Sequence, residues 1–129
     1  MVIAVGLLLL APPLLTGSLE SARLKASARE VAAALREARL MAIEGQRPVA
    51  LAIHVEERTY RVDGKRPRKL PSSLQLKVFT AQSEVQGEQA AIRFYPDGSA
   101  TGGRITLSQD ERRYRVDVDW LTGRVHIAE

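Results

Sequence analysis

Few residues in this chain combine the type and the spacing that catalysis or metal binding requires. His54 and His126 are the only histidines, and each falls at an outward position of a predicted strand, without a second ligand at metal-binding spacing. Asp117 and Asp119 stand about 7 Å apart on one predicted strand and could share a metal ion or a proton. Nearby arginines make surface ion pairs the simpler interpretation. We therefore predict a protein that is not an enzyme and that has no metal or cofactor.

Composition narrows the function classes further. The chain has 129 residues and no cysteine, so disulfides, cysteine-based zinc sites and cysteine nucleophiles are excluded. Its glycines do not match a phosphate-binding loop, and no small-molecule substrate is indicated. The net charge of +4 is compatible with nucleic acid or anionic lipid but is weak evidence for either. The sequence indicates a structural or interaction protein built from one small domain with an extension.

The extension is residues 1–18, which carry no charge. As a helix, its fifteen apolar residues would be about 22 Å long, against about 30 Å for a bilayer core. A cleaved secretory signal would need a basic start, and a helix apolar on every side is unusual in so small a domain. We interpret the segment as part of a transmembrane or filament-core helix whose beginning lies upstream. The residues predicted to face lipid or the filament core are Val2, Ile3, Val5, Leu7, Leu8, Leu9, Leu10, Leu14 and Leu15.

The next segment, residues 19–46, has the periodicity of an amphipathic helix. Two prolines that precede it, Pro12 and Pro13, are predicted to form a hinge because they remove amide donors. Gly45 and Pro48 are the expected stop signals. The apolar stripe, spaced by four and three residues in turn, comprises Leu24, Ala28, Val31, Leu35, Ala38 and Ala42.

Residues 47–129 predict a β-rich head. About seven short alternating strands separated by turns indicate an antiparallel system, expected as two sheets with the helix packed on one. Residues 80–89 show no pattern and are expected to form a mobile loop, and residues 65–69 a solvated basic loop. Alternation over residues 112–120 places Trp120 on the same face as Val116 and Val118.

Two stretches of the head, residues 92–103 and 118–125, resemble the signatures of the GspH/FimT family of minor pseudopilins and minor pilins. The first holds a Phe-Tyr-Pro-Asp-Gly-Ser turn and then a glycine pair; the second closes with Trp-Leu-Thr-Gly-Arg. The helix is similar as well, with the family's alanine and arginine spacing at Ala28, Arg29, Ala32, Arg36 and Arg39. The signature residues are Phe94, Pro96, Asp97, Gly98, Gly102, Gly103, Trp120, Thr122 and Gly123.

The resemblance implies an α+β, pilin-like fold in which a long N-terminal helix packs on the β-rich head. It also implies a structural subunit of a type II secretion pseudopilus, at or near its tip, that helps to export folded proteins. The expected partners are other pseudopilins or pilins, the bacterial inner membrane before assembly and secreted proteins, with the head in the periplasm. The family's basic leader, cleavage-site glycine and Phe-Thr-Leu-x-Glu start are not found in this sequence.

The pilin branch of the same family supplies an alternative. There the resemblance implies a minor pilin that binds DNA during natural transformation through basic residues near the C-terminus. The candidates in this chain are Arg112, Arg113, Arg115 and Arg124, with residues 65–69 as a second basic patch. Such binding would weaken steeply with salt.

Overall fold

The computed structural model describes the backbone of residues 2–129 and the side chains of residues 19–129. One helix precedes nine strands in this part of the chain. The elements are α1 Val2–Gly45, β1 Val49–His54, β2 Thr59–Val62, β3 Arg68–Lys69, β4 Gln75–Thr80, a short 3-10 helix Gln82–Glu84, β5 Val85–Gln86, β6 Gln89–Phe94, β7 Gly103–Gln109, β8 Arg112–Val118 and β9 Val125–Ala128.

The apolar stripe of α1 is buried along its whole predicted length, which confirms the amphipathic helix. All six stripe residues are at most 1% exposed. Four of the six are alanine or valine, and such small side chains allow the helix axis to approach the sheets closely. The helix ends at Gly45, as predicted, although Gln46 is the residue that adopts the left-handed conformation, with φ of 51°. The amide of Arg47 then donates to the carbonyl oxygen of Ala42 and closes the final turn.

The head consists of two antiparallel sheets, as the sequence predicted. Sheet A has the strand order β3-β2-β1-β6-β5, and sheet B has the order β4-β7-β8-β9. Helix α1 packs on β1, β2 and β6 of sheet A and on β7, β8 and β9 of sheet B. The expectation that the helix packs on one sheet is therefore wrong, because its stripe is wide enough to cover the line where the two sheets meet.

A common core joins α1 and the two sheets. Alternation in the strands places one apolar row from each sheet against the helix, as expected for antiparallel sheets with one solvated face. The largest fully buried side chains of the head are Phe94, Leu51, Ile53, Leu74, Ile92, Ile105, Leu107, Val49 and Val116.

Two local predictions are wrong. Residues 80–89 are not a patternless loop, because they contain the 3-10 helix and β5, which pairs with β6. An ion pair of 2.9 Å between Arg93 and Glu84 fixes this segment to β6. Trp120 does not share the buried face of β8: the strand ends at Val118, and the indole is 65% exposed.

Two predictions fall on residues 1–18, whose side chains lie outside the described part of the chain. These are the hinge at Pro12 and Pro13 and the residues that face lipid or the filament core. They stay predictions. Within the described residues, no helix contains a stretch long and apolar enough to cross a membrane.

Candidate assembly surface

The first signature turn, residues 95–99, is closed by its own backbone. The amide of Tyr95 donates to the carbonyl oxygen of Ser99, and the amide of Gly98 donates to that of Tyr95, both at 2.9 Å. Asp97 Oδ1 accepts hydrogen bonds from the Ser99 hydroxyl at 2.6 Å and the Ser99 amide at 3.0 Å. These hydrogen bonds, the hydroxyl first, lower the pKa of Asp97. The turn is thus fixed by an ionised side chain at its tip.

The second signature turn, residues 119–124, follows β8 and is fixed in the same way. Asp119 Oδ1 accepts from the amides of Thr122 at 3.2 Å and Leu121 at 2.8 Å, and these two bonds lower the pKa of Asp119. The Asp119 amide donates to the carbonyl oxygen of Arg124, and the Gly123 amide donates to that of Asp119. The Asp119 carboxylate therefore stabilises a turn and does not form the cross-strand ion pair that the sequence suggested.

The two turns contact each other through their glycines. Gly98 and Gly123 both have positive φ, 90° and 71°, which favours glycine. A Cβ on residue 123 would overlap the carbonyl oxygen of Gly98, and a Cβ on residue 98 would lie 2.8 Å from Arg39 Nη2. The amide of Ala100 also donates to the carbonyl oxygen of Trp120 at 2.8 Å. Signature residues that are distant in sequence thus form one packed unit.

Two arginines of α1 join this unit to the helix. Arg39 Nε donates to the carbonyl oxygens of Gly98 at 3.1 Å and Thr122 at 3.2 Å. One turn earlier, Arg36 Nη2 donates to the carbonyl oxygen of Val125 at 3.0 Å, at the start of β9. The resemblance identified both arginines in the sequence, but their partners became visible only in the structure.

The adjacent glycines Gly102 and Gly103 pack against two residues whose aromatic side chains are exposed, Trp120 and Phe79. A Cβ on Gly102 would lie 3.0 Å from Cβ of Trp120, and a Cβ on Gly103 would lie 2.5 Å from the carbonyl oxygen of Phe79. Trp120 and Phe79 are 65% and 76% exposed. The absence of a side chain at these glycines therefore allows the neighbouring segments to pack closely.

The joined turns present large apolar side chains to solvent. Trp120 and Leu121 are 65% and 64% exposed, and Tyr95 on the neighbouring turn is 36% exposed. Their anchor, Arg39, lies 21 residues after residue 18, which is about 30 Å along a helix. The apolar patch Tyr95, Trp120 and Leu121, named the turn patch below, therefore lies near the end of α1 remote from its apolar start. Exposed aromatic and apolar clusters of this kind mark interaction sites.

The four arginines of the DNA alternative do not form one cluster. Arg113 and Arg115 occupy alternate positions on the outer face of β8. Arg112 lines one groove with Arg113 and another with Glu20 and Leu24 of α1. Arg124 belongs to the second signature turn. The second basic patch, residues 65–69, lies around β3 of sheet A, where Lys65 forms an ion pair with Glu37.

The described residues contain no group of three histidine or acidic side chains that could hold a metal ion. His54 Nδ1 accepts a hydrogen bond from the Glu57 amide at 3.3 Å, and His126 is exposed on β9. Asp117 forms an ion pair of 2.6 Å with Arg104, its neighbour across β7 and β8, so the surface-pair interpretation holds for Asp117 with a partner that the sequence did not indicate.

The long helix, the two antiparallel sheets and the joined turns define a pilin-like subunit. The FimU minor pilin of Pseudomonas aeruginosa has the same fold, with a TM-score of 0.65 at 17% identity over 85% of this chain and 91% of FimU. The EpsH minor pseudopilin of the Vibrio cholerae type 2 secretion system also has a TM-score of 0.65, at 15% identity over 81% of this chain and 94% of EpsH.

Sequence comparison gives the family. Residues 27–122 match the family model of type II transport protein GspH. A relative in Xanthomonas campestris pv. campestris, named type II secretion system protein H, is 39% identical over 118 residues, which cover 90% of this chain and 69% of the relative. The chain belongs to the GspH family, and the secretion interpretation is favoured over the pilus interpretation.

Proposed function

We propose that this protein is a minor pseudopilin that caps or adjoins the tip of a type II secretion pseudopilus and helps to export folded proteins. Family membership and the pilin-like fold support this role. In it, the apolar start of α1 is held in the inner membrane and then in the filament core, and the β-rich head lies in the periplasm. In this role the protein acts by binding and positioning its partners.

The main support for the proposal is the exposure of the turn patch. Trp120 and Leu121 are exposed although their turn is held by Asp119, by Gly123 and, through Thr122, by Arg39. A rigid turn that presents a tryptophan and a leucine loses little conformational entropy on binding, so it suits an interface centre. The patch lies at the end of the head remote from the apolar start of α1. We infer that it contacts a neighbouring minor subunit at the tip of the filament.

Export in a bacterium that carries the system tests the proposal. The chromosomal gene is deleted and replaced by the wild type or by Trp120→Ala with Leu121→Ser, and secreted and retained exoprotein are measured. Alanine keeps the Cβ that packs on Gly102, so the turn should persist. We expect export to fall by about ten-fold or more, as for the loss of an interface centre.

Val85→Ser is the matched control, because Val85 is also an exposed apolar residue, at 47%, but lies on β5 of sheet A. It should export normally. Normal export by the double variant, at wild-type protein levels, would refute a role for the turn patch. Normal export by the deletion strain would refute the secretion function itself.

A further inference from the structure

The outer face of sheet B carries basic side chains in register across its strands. Lys77 of β4 is opposite Thr106 of β7, which is opposite Arg115 of β8. In the adjacent row, Phe79 is opposite Arg104, which is opposite Asp117. This surface, named the basic face, comprises Lys77, Phe79, Arg104, Thr106, Arg113, Arg115 and Asp117.

The basic face has an excess of positive charge. Arg104 and Asp117 neutralise each other through their ion pair. Lys77, Arg113 and Arg115 form no ion pair with any described residue. Asp110 and Glu111 line the adjoining groove with Lys77 and Arg113, but Arg112 lies there too. The cations of this region therefore still outnumber its carboxylates, and an anionic partner would relieve their mutual repulsion.

The basic face extends over three strands of sheet B. Its residues line a groove of about 750 Å³ that crosses β4, β7 and β8. Phe79, at the β4 edge, is 76% exposed and offers an apolar contact there. A groove with cations along its floor and one aromatic residue at its edge combines charge recognition with apolar burial.

We propose that the basic face binds an extended acidic segment of another filament subunit. The inference rests on the proposed function, which supplies the filament. Arg113 and Arg115 stand about 7 Å apart, the spacing of residues i and i+2 in an extended chain, so two carboxylates at that spacing would face both guanidinium groups. Lys77, about 10 Å from Arg115 across β7, lies beside this row and adds to the positive potential around the segment.

The face favours a protein segment over a nucleic acid. Sequence-tolerant binding of single strands uses successive aromatic platforms, whereas this groove has one aromatic residue, Phe79. Arginine and phenylalanine are the residue types enriched in protein interfaces.

A binding titration of the full chain in non-ionic detergent micelles tests the proposal. The probe is a fluorescein-labelled peptide of about seven residues in which Glu alternates with Thr, so that as an extended strand it is as long as β8. The second probe replaces each Glu by Gln, and the third is a short labelled duplex DNA. Fluorescence anisotropy is recorded for the wild type, for Arg113→Gln with Arg115→Gln, and for Arg66→Gln with Lys69→Gln. The last variant removes the same charge from β3 of sheet A and the loop that precedes it.

We expect the Glu peptide to bind the wild type at least about ten-fold more tightly than the Gln peptide, and the Arg113 and Arg115 variant to lose about that factor. The sheet A control should change by less than about two-fold. Equal losses in the two variants would show diffuse charge attraction and overturn the proposal. Tighter binding of DNA with the same arginine dependence would make the face a nucleic-acid site, and the absence of peptide binding would also overturn the proposal.

Export separates this inference from the proposed function. If the peptide does not bind but the Trp120 and Leu121 variant still blocks export, the inference alone fails. If the peptide binds as expected but deletion of the gene leaves export unchanged, the secretion function fails and the acidic partner lies elsewhere.

Discussion

The carbonyl oxygen of Gly98 occupies the position where residue 123 would carry its Cβ, so Gly123 can be only glycine in this fold. Residue 98 is the glycine of the first signature turn, and residue 123 is the glycine of the second. The same carbonyl oxygen accepts a hydrogen bond from Arg39. The Gly98 carbonyl oxygen therefore contacts both the second signature turn, which is distant in sequence, and a side chain of the helix.

Gly123→Ala should destabilise the protein strongly. The new Cβ must displace the Gly98 backbone and adopt a φ of 71°, so we expect a loss of about 2–4 kcal/mol in the free energy of unfolding. Urea unfolding of the full chain, followed by circular dichroism, measures it. Gly64→Ala is the control, because Gly64 also has positive φ, 80°, but a Cβ there would face open space, with nothing to meet within 4 Å. Equal losses would mean that backbone strain alone explains the effect.

Arg39→Gln should loosen the link between the helix and the joined turns. It removes hydrogen bonds from the guanidinium to Gly98 and Thr122, and for this half-exposed residue we expect a loss of about 1–2 kcal/mol. Hydrogen exchange of the Gly98 and Gly123 amides should accelerate more than that of the core amides of β1. Arg29→Gln removes an exposed charge from the same helix and should change neither quantity. Unchanged exchange at the two turns would contradict the link.

Asp119→Asn should reduce the acid sensitivity of the fold. The amides of Thr122 and Leu121 hold the folded-state pKa of Asp119 below the ordinary value of 3.8. Its ionised form therefore stabilises the fold above that pH, and the contribution is lost as pH falls through the lower folded pKa.

Asparagine keeps the accepting oxygen but does not titrate, so the urea midpoint of the variant should fall less between about pH 6 and about pH 2. Glu44→Gln controls for the loss of one negative charge. A variant that follows the wild-type curve throughout would contradict a role for the Asp119 carboxylate.

Tyr60→Phe should leave stability unchanged or raise it by up to about 1 kcal/mol. The ring of Tyr60 is 3% exposed, and its hydroxyl has no hydrogen-bond partner of good geometry among the described residues. Burial, followed by the Glu30 carboxylate, raises the pKa of this hydroxyl, and the nearby Arg68 guanidinium opposes the rise.

Tyr114→Phe is the matched control, since the Tyr114 hydroxyl donates to Glu129 at 2.9 Å and its loss should cost a little stability. Both changes are measured as shifts of the urea midpoint. A loss of more than about 1 kcal/mol in Tyr60→Phe would show that the hydroxyl has a bound partner, such as a buried water.

The helix and the strands could be predicted from the sequence because their apolar residues repeat at short, regular spacings. The helix stripe from Leu24 to Ala42 and the alternating strands are recognisable because burial repeats with the geometry of each element. Trp120 was misplaced because the alternation of β8 continues by chance into the next turn. Asp119 and Gly123 were the available signal, since an aspartate that caps a turn ending in glycine terminates a strand.

The contacts that form the candidate assembly surface could not be predicted from local sequence pattern. Arg36 and Val125 are separated by 89 residues, and Arg39 and Gly98 by 59. Such pairs depend on how the sheets fold around the helix. The resemblance identified the arginines and the signature glycines but not the reason that they occur together, which is their mutual contact.

The two arginine links have a mechanical consequence for a subunit whose helix and head are pulled in different directions. Tension along α1 is resisted in shear, because Arg36, Arg39 and the alanine-rich stripe all oppose sliding at the same time. Contacts loaded in parallel share the force, whereas contacts that are peeled apart break one after another. The helix and head should therefore move as one rigid body. An axial force applied at the start of α1 would be transmitted to the turn patch with little internal deformation.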